Sequence, residues 1–210
     1  MAGKNKHKND RSPSRHTRDD WIRTALDTLI CEGVGNVKIM VLSAKLNTAR
    51  SGFYWHFDSR ADLLDHLLDH WQATNTRAIT DSAARPADTI CASVVNVATS
   101  WTGEGGFDTR LDFAIRDWAR RSASVRAALD ASDNERVVAL TQMFQRHGFD
   151  DKEAQVRGRI LYYTQIGHDA LDQKEDLETR RSRTWQYLFC LSGQEPAQQD
   201  VDRLDAARMP

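Results

Sequence analysis

Apolar residues between positions 21 and 71 recur at three- and four-residue intervals, in short runs that are sharply punctuated. No other feature of the chain constrains its fold as strongly. Trp21, Ile22, Ala25, Leu26, Leu29 and Ile30 form one stripe of a helix starting near Thr17, where Thr17 and Asp20 are spaced as a capping pair. Gly33 and Gly35 end it. A second, short helix from about Val37 to Leu46 turns Ile39, Leu42 and Leu46 inward. Asn47 follows, the non-glycine residue best suited to a left-handed terminator. A third short helix runs from Thr48 or Ala49 to about Trp55, with Ala49, Phe53 and Phe57 on one face. Ser59 and Asp62 cap a fourth, whose stripe is Leu63, Leu64, Leu67, Leu68 and Trp71.

The helical pattern persists to the end of the chain, and its few glycines and prolines (11 and 4 in 210 residues) exclude a turn-rich all-β fold. Further helices are expected from Pro86 to about Thr102 and over Asp108–Arg121, Ala123–Arg146, Asp151–Asp172 and Leu177–Leu191. The last of these is expected to bury Trp185, Leu188, Phe189 and Cys190. Residues 194–210, rich in Gln, Asp and Ala, read as a flexible tail, and residues 1–16 as a disordered basic arm. The fold class is therefore all-α. Apolar runs such as Tyr187 to Leu191 fall far short of the roughly 18 residues a membrane span needs. Cys31, Cys91 and Cys190 are odd in number and widely spaced, which indicates neither a disulfide framework nor a zinc ribbon. With a charged N-terminal segment in place of an apolar signal core, the expected location is the cytoplasm.

The formal net charge of −1 hides an asymmetry. Lys4, Lys6, Lys8, Arg11, Arg15 and Arg18 face Asp10 alone, and the first 60 residues stay at about +5 while the rest sum to about −6. A basic N-terminal quarter on an acidic body is the footprint of a module that meets a polyanion. The two short helices either side of Asn47 must cross steeply to bury one face against the first helix, which leaves the second protruding. That protruding surface carries Thr48, Arg50, Ser51, Tyr54, Trp55 and His56. A merely solvated face would carry Glu, Lys and Gln; this mixture of hydrogen-bonding groups and aromatics suits nucleic acid better.

Asn47-Thr-Ala-Arg-Ser-Gly-Phe-Tyr-Trp-His-Phe57, followed by Asp58-Ser-Arg-Ala-Asp-Leu-Leu64, resembles the TetR family of transcriptional regulators over about residues 17–70. Tyr162-Tyr-Thr-Gln-Ile-Gly-His-Asp-Ala-Leu171 also resembles the penultimate helix of one branch of that family. The chain departs from the family pattern in having Asn47 where Gly is usual and Ser51-Gly52 where Gly-Thr or Gly-Ser is common. The resemblance implies a helix-turn-helix DNA-binding domain over residues 17–77 and a ligand-binding and dimerisation domain over 78–193. It places Arg50, Ser51, Tyr54, Trp55 and His56 on a recognition helix in the major groove, with Thr48 at its start. Lys38 and Arg60 fall where family members touch the phosphate backbone. By chemistry Arg50 is the best candidate for a bidentate guanine contact.

The implied partners are double-stranded operator DNA, an unidentified small-molecule effector and a second copy of the chain, met through the last two helices. Pocket candidates are Trp101, Phe113, Trp118 and Tyr162, with Gln165 and His168 as polar groups that orient a ligand, although aromatics at helical spacing are usually core. Gly158, Gly167 and Ala170 are small enough to admit a close helix neighbour, which fits a four-helix bundle between subunits. His66 and His70, at i, i+4 among Asp62, Asp65 and Asp69, invite comparison with a metal site, but no HExxH sequence is present. No cofactor is expected. The function expected is that of a ligand-responsive regulator, a repressor released from its operator by an effector, and not an enzyme. The alternatives are a dimeric helical scaffold with degenerate DNA binding and a small metal-dependent hydrolase.

Overall fold

Thr17 starts the first helix, α1 (Arg18–Glu32), by the reciprocal capping its spacing implied. Its hydroxyl accepts from Asp20 N at 3.2 Å, and the Asp20 carboxylate accepts from Thr17 N at 2.8 Å. The computed structural model describes residues 16–102, 106–172 and 175–208, so the basic arm expected over 1–16 lies almost entirely outside the described residues. A 3-10 turn at Val34–Asn36 leads into α2 (Ile39–Lys45). Asn47 terminates α2 with φ 48°, while Thr48 N reaches Ser43 O at 2.9 Å and Asn47 N reaches Ala44 O at 3.1 Å. This pair of bonds satisfies the last carbonyls of α2, as a left-handed terminator should.

The third helix differs from expectation. Residues Arg50–Trp55 form a 3-10 helix, entered through an extended Ala49. Gly52 and the aromatic residues around it are weak α-helix formers, so so short a segment takes the tighter form. Phe53 fixes it, packing edge-on to Trp21 at 5.4 Å and stacking on Phe57 at 5.2 Å. Trp21, Ala25 and Leu29 of α1, Val37 and Leu42 close the core around this pair with Leu63, Leu64 and Leu67. Full burial of each Leu, Phe or Trp is worth about 1.5–3 kcal/mol, enough to hold so short a set of helices.

The helix α3 (Arg60–Trp71) contains the division between two compact units, which falls between Leu67 and Leu68, earlier than the boundary expected at residue 77. In the second unit the end of α3 continues into a π-helical segment, Gln72–Thr76, running into α4 (Arg77–Ala84). The wider turn brings Asn75 and Thr76 inward together. Asn75 then clasps the backbone of Asp108, donating to its carbonyl at 2.8 Å and accepting from its amide at 3.2 Å. The helix expected from Pro86 starts later, as α5 (Ile90–Ser100), because Arg85 is extended before the proline and Thr89 provides the cap. α6 (Thr109–Ala119), α7 (Ala123–Arg146) and α8 (Asp151–Leu171) match the expected spans closely.

α7 and α8 are joined by a short loop and pack as antiparallel neighbours. Gly158 makes this possible: a Cβ there would lie 3.0 Å from Thr141 N. Its smallness therefore serves a contact within the chain, whereas Gly167 has nothing near it.

Two expectations about the C-terminal part are corrected. The helix expected over Leu177–Leu191 is broken at Arg183 into α9 (Leu177–Ser182) and α10 (Thr184–Ser192). Leu188 is buried, but Trp185, Phe189 and Cys190 are exposed, since they lie on the face of α10 turned away from α5. The flexible tail expected over 194–210 is instead an ordered helix, α11 (Gln198–Ala207), with Val201 and Leu204 buried against α5. The break before Thr184 lets its hydroxyl donate to Asp205 of α11 at 2.6 Å. Among the described residues no strand occurs, and no helix is long and apolar enough to cross a membrane.

Candidate nucleic-acid interface and effector cavity

Burying Phe53 and Phe57 turns their neighbours outward. Trp55 is 81% exposed and Tyr54 61%, values that a side chain serving the core does not show. Arg50 and Ser51 are exposed beside them, and Thr48 and His56 half-buried. On a 3-10 helix residues three apart align, so Ser51 and Tyr54 share one row. The Nε2 of His56 meets the His16 carbonyl at 3.1 Å.

The two residues expected at phosphates differ from each other. Lys38 is exposed at the start of α2. Arg60 is committed to the chain: its Nε donates to Val37 O at 2.5 Å and its Nη2 to Val34 O at 2.8 Å, clamping the turn before α2. His66, from the histidine pair, accepts from Arg18 Nη2 at 2.5 Å, and Arg18 also lies over the Phe57 ring. Among the described residues no group of three or more potential metal ligands converges.

The second unit holds a cavity of about 110 Å³ among α5, α8, α10 and α11. Three expected pocket residues reach it: Trp101 at the end of α5, and Gln165 and His168 on α8. Phe113, Trp118 and Tyr162 are placed elsewhere. Tyr162 turns its hydroxyl into a buried ionic network, donating to Asp133 at 2.7 Å and accepting from Arg116 and Arg136, each at 2.9 Å. Burial and its carboxylate neighbours push the Tyr162 hydroxyl well above the ordinary tyrosine range, so it remains protonated. In that network Arg136, fully buried, also donates to Asp112 at 3.0 Å and to Thr76 at 3.1 Å. Arg116 binds Asp133 through two nitrogens at 2.8 and 2.9 Å, and Trp71 donates its indole N–H to Asp112 at 2.9 Å.

Sequence reasoning missed the charged lining of the cavity. Arg180 comes from α9, Arg208 from the end of α11, and Glu175 from the segment before α9. With α11 read as a tail, no periodicity pointed to Arg208. The remaining walls are mainly aliphatic, among them Val94, Leu161, Leu188 and Leu204.

No protein-family model matches the sequence, and no curated protein matches it either. Solved structures do. Salmonella enterica GusR superposes with a TM-score of 0.61 over 93% of this chain and 99% of that one, at 16% identity. Mycobacterium smegmatis AmtR gives 0.59 over 94% and 96%, at 15% identity. The chain has a TetR-type fold. A possible TetR family transcriptional regulator from Streptomyces coelicolor A3(2) superposes more loosely, with a TM-score of 0.41 over 91% and 95% at 18% identity. In this TetR-type fold the α2 turn and 3-10 helix form the N-terminal helix-turn-helix, and residues from α4 onward form the helical body.

Proposed function

We propose that the chain is a cytoplasmic DNA-binding transcriptional regulator that acts as a homodimer, with its operator affinity set by a small molecule in the α5–α8–α10–α11 cavity. The observation that carries this reading is the outward presentation of Arg50, Ser51, Tyr54 and Trp55 by a turn anchored on Phe53 and Phe57. Large aromatics beside an arginine on a rigidly seated protrusion fit a groove whose walls are phosphates and whose floor is base edges. Arg50 takes the base-reading role; Lys38, Thr48, Tyr54 and His56 take phosphate roles. Arg60 acts by holding the turn that positions Lys38, since its donors are already committed.

The dimer reading rests on an exposed apolar stripe along α8, formed by Val156, Ile160, Tyr163 and Leu171, and on Trp185 and Phe189 of α10, which stack on each other at 5.3 Å. These six side chains are 38–69% exposed in a single chain. Exposed apolar surface of this kind is covered in an isologous dimer. The pairing helices are thus α8 and α10, with α11 packed on the other side against α5. A repressor mechanism follows if the effector favours a dimer whose two DNA-binding units no longer match successive major grooves.

Mobility-shift titration of the full chain against promoter fragments tests the reading. Selective binding to one fragment, lost on Arg50→Ala with the circular dichroism spectrum intact, is the expected outcome. Equal affinity for all fragments, or an Arg50→Ala variant that binds as well as the parent, would refute it.

A further inference from the structure

The cavity in the second unit is lined by two half-buried arginines and a single carboxylate. Arg180 and Arg208 both line it. Arg208 is half-buried, and its Nη1 is spent on a neutral acceptor, Thr184 Oγ1, at 2.9 Å. Burial, and next the neighbouring Arg180, push the Arg208 guanidinium below its ordinary range, an effect that Asp205 and Tyr187 only partly offset. Asp205 directs a carboxylate oxygen to the Thr184 hydroxyl. The one carboxylate in the lining, Glu175, is paired at 2.5 Å with Arg183, which is not part of the lining. His168 faces Asp169 at 3.5 Å, also outside the lining. The charge balance inside the cavity is therefore positive.

Two arginines on walls that combine Gln165, His168 and Tyr187 with aliphatic side chains call for a ligand with an acceptor-rich anionic head and an apolar body. Guanidinium groups match the planar, two-oxygen geometry of a carboxylate. The size caps the body: a dry cavity of about 150 Å³ admits one benzene-sized ring, and this one, at about 110 Å³, admits no larger group.

We infer that the cavity binds a small monocarboxylate with an apolar body no larger than one ring, its carboxylate held by Arg180 and Arg208 and its apolar body packed among Val94, Leu161, Leu188 and Leu204. This rests on the proposal that the cavity is the effector site, and it adds the effector's chemical class. Binding neutralises the arginine pair and so draws α9 and α11 together across the cavity.

Isothermal titration calorimetry on the full chain tests the inference with isobutyrate and benzoate as probes, isobutyramide and benzamide as neutral isosteres, and isobutylamine and benzylamine as cationic controls. The expected result is saturable binding of a carboxylate, with its amide weaker by about tenfold or more and the amine not binding. Arg208→Gln and Arg180→Gln should each weaken the carboxylate by about tenfold. Circular dichroism identifies any variant that has not folded. If one fails to fold the other decides, and if both fail the acid–amide comparison on the parent chain decides. The inference is overturned if neither carboxylate binds, if the amides bind equally well, or if folded variants keep the parent affinity. DNA selectivity measured without any probe is a separate readout. Its failure would sink the regulator reading while leaving carboxylate binding in place, and failure of the probes alone would leave the regulator reading intact.

Discussion

Two places in the second unit bury arginine side chains, and they treat the charge in opposite ways. Between α6, α7 and α8, Arg116 and Arg136 meet Asp112 and Asp133, and the remaining donors go to Tyr162 and Thr76. Every group there completes another, and Arg136 also lies over the rings of Trp71 and Phe107. For Arg116, burial alone would lower its proton affinity, but its hydrogen bonds to Asp133 and the charge of Asp112 reverse that and raise it. Between α5, α8, α9 and α11 the balance is left open: Arg208 sits beside Arg180 and its proton affinity is lowered. A closed network of charges defines a rigid core, whereas an open one keeps a preference for something not yet bound. The same residue type is architecture in one place and, in our reading, recognition in the other.

The comparison predicts different costs for removing an arginine. Arg136→Met removes one of the two arginines on the wholly buried Asp112, leaving it Arg116 and the Trp71 indole, and should lower the unfolding free energy by about 1.5–3 kcal/mol in urea denaturation. A loss below about 1 kcal/mol would mean that the network is not the closed unit described. A smaller effect is expected at the α7–α8 seam that carries this network. Gly158→Ala places a methyl 3.0 Å from the Thr141 amide nitrogen. Overpacking of about 1–3 kcal/mol, less a helix-propensity gain of up to about 1 kcal/mol, leaves a net loss near 1 kcal/mol. Unchanged or increased stability would show that the seam has slack. The smallest effect is expected at the open site, where Arg208→Gln should shift stability by less than about 1 kcal/mol in either direction, because a charge near another arginine is removed along with one hydrogen bond to Thr184. A loss comparable to that of Arg136→Met would erase the distinction between the two regions.

How much of this the sequence disclosed follows the range of the interactions. The Thr17–Asp20 cap and the left-handed Asn47 are settled within a few residues, and both stand as expected. The outward turn of Tyr54 and Trp55 depended only on Phe53 and Phe57 being the inward pair. The 3-10 form of that turn was not legible, since a six-residue segment gives no periodicity to separate it from an α-helix. α11 escaped because only Val201 and Leu204 among its residues carry an apolar signal, and they are three apart in a polar segment. Most links of the ionic network join residues 17 to 60 positions apart, and nothing local at Tyr162 names its partners. Tyr162 thus read as a pocket aromatic, while Arg180 and Arg208, which do line the cavity, carried no local signal.

The central claim is that the N-terminal unit reads DNA sequence. The most direct measurement is selection of the full chain against a random double-stranded library, with sequencing of the bound fraction. The account predicts enrichment of a near-palindromic site whose half-sites lie about one helical turn or a multiple apart, and loss of that enrichment in Arg50→Ala. Retention of DNA without any enriched sequence, falling steeply with salt for every fragment alike, would contradict it and leave a scaffold that binds phosphates alone.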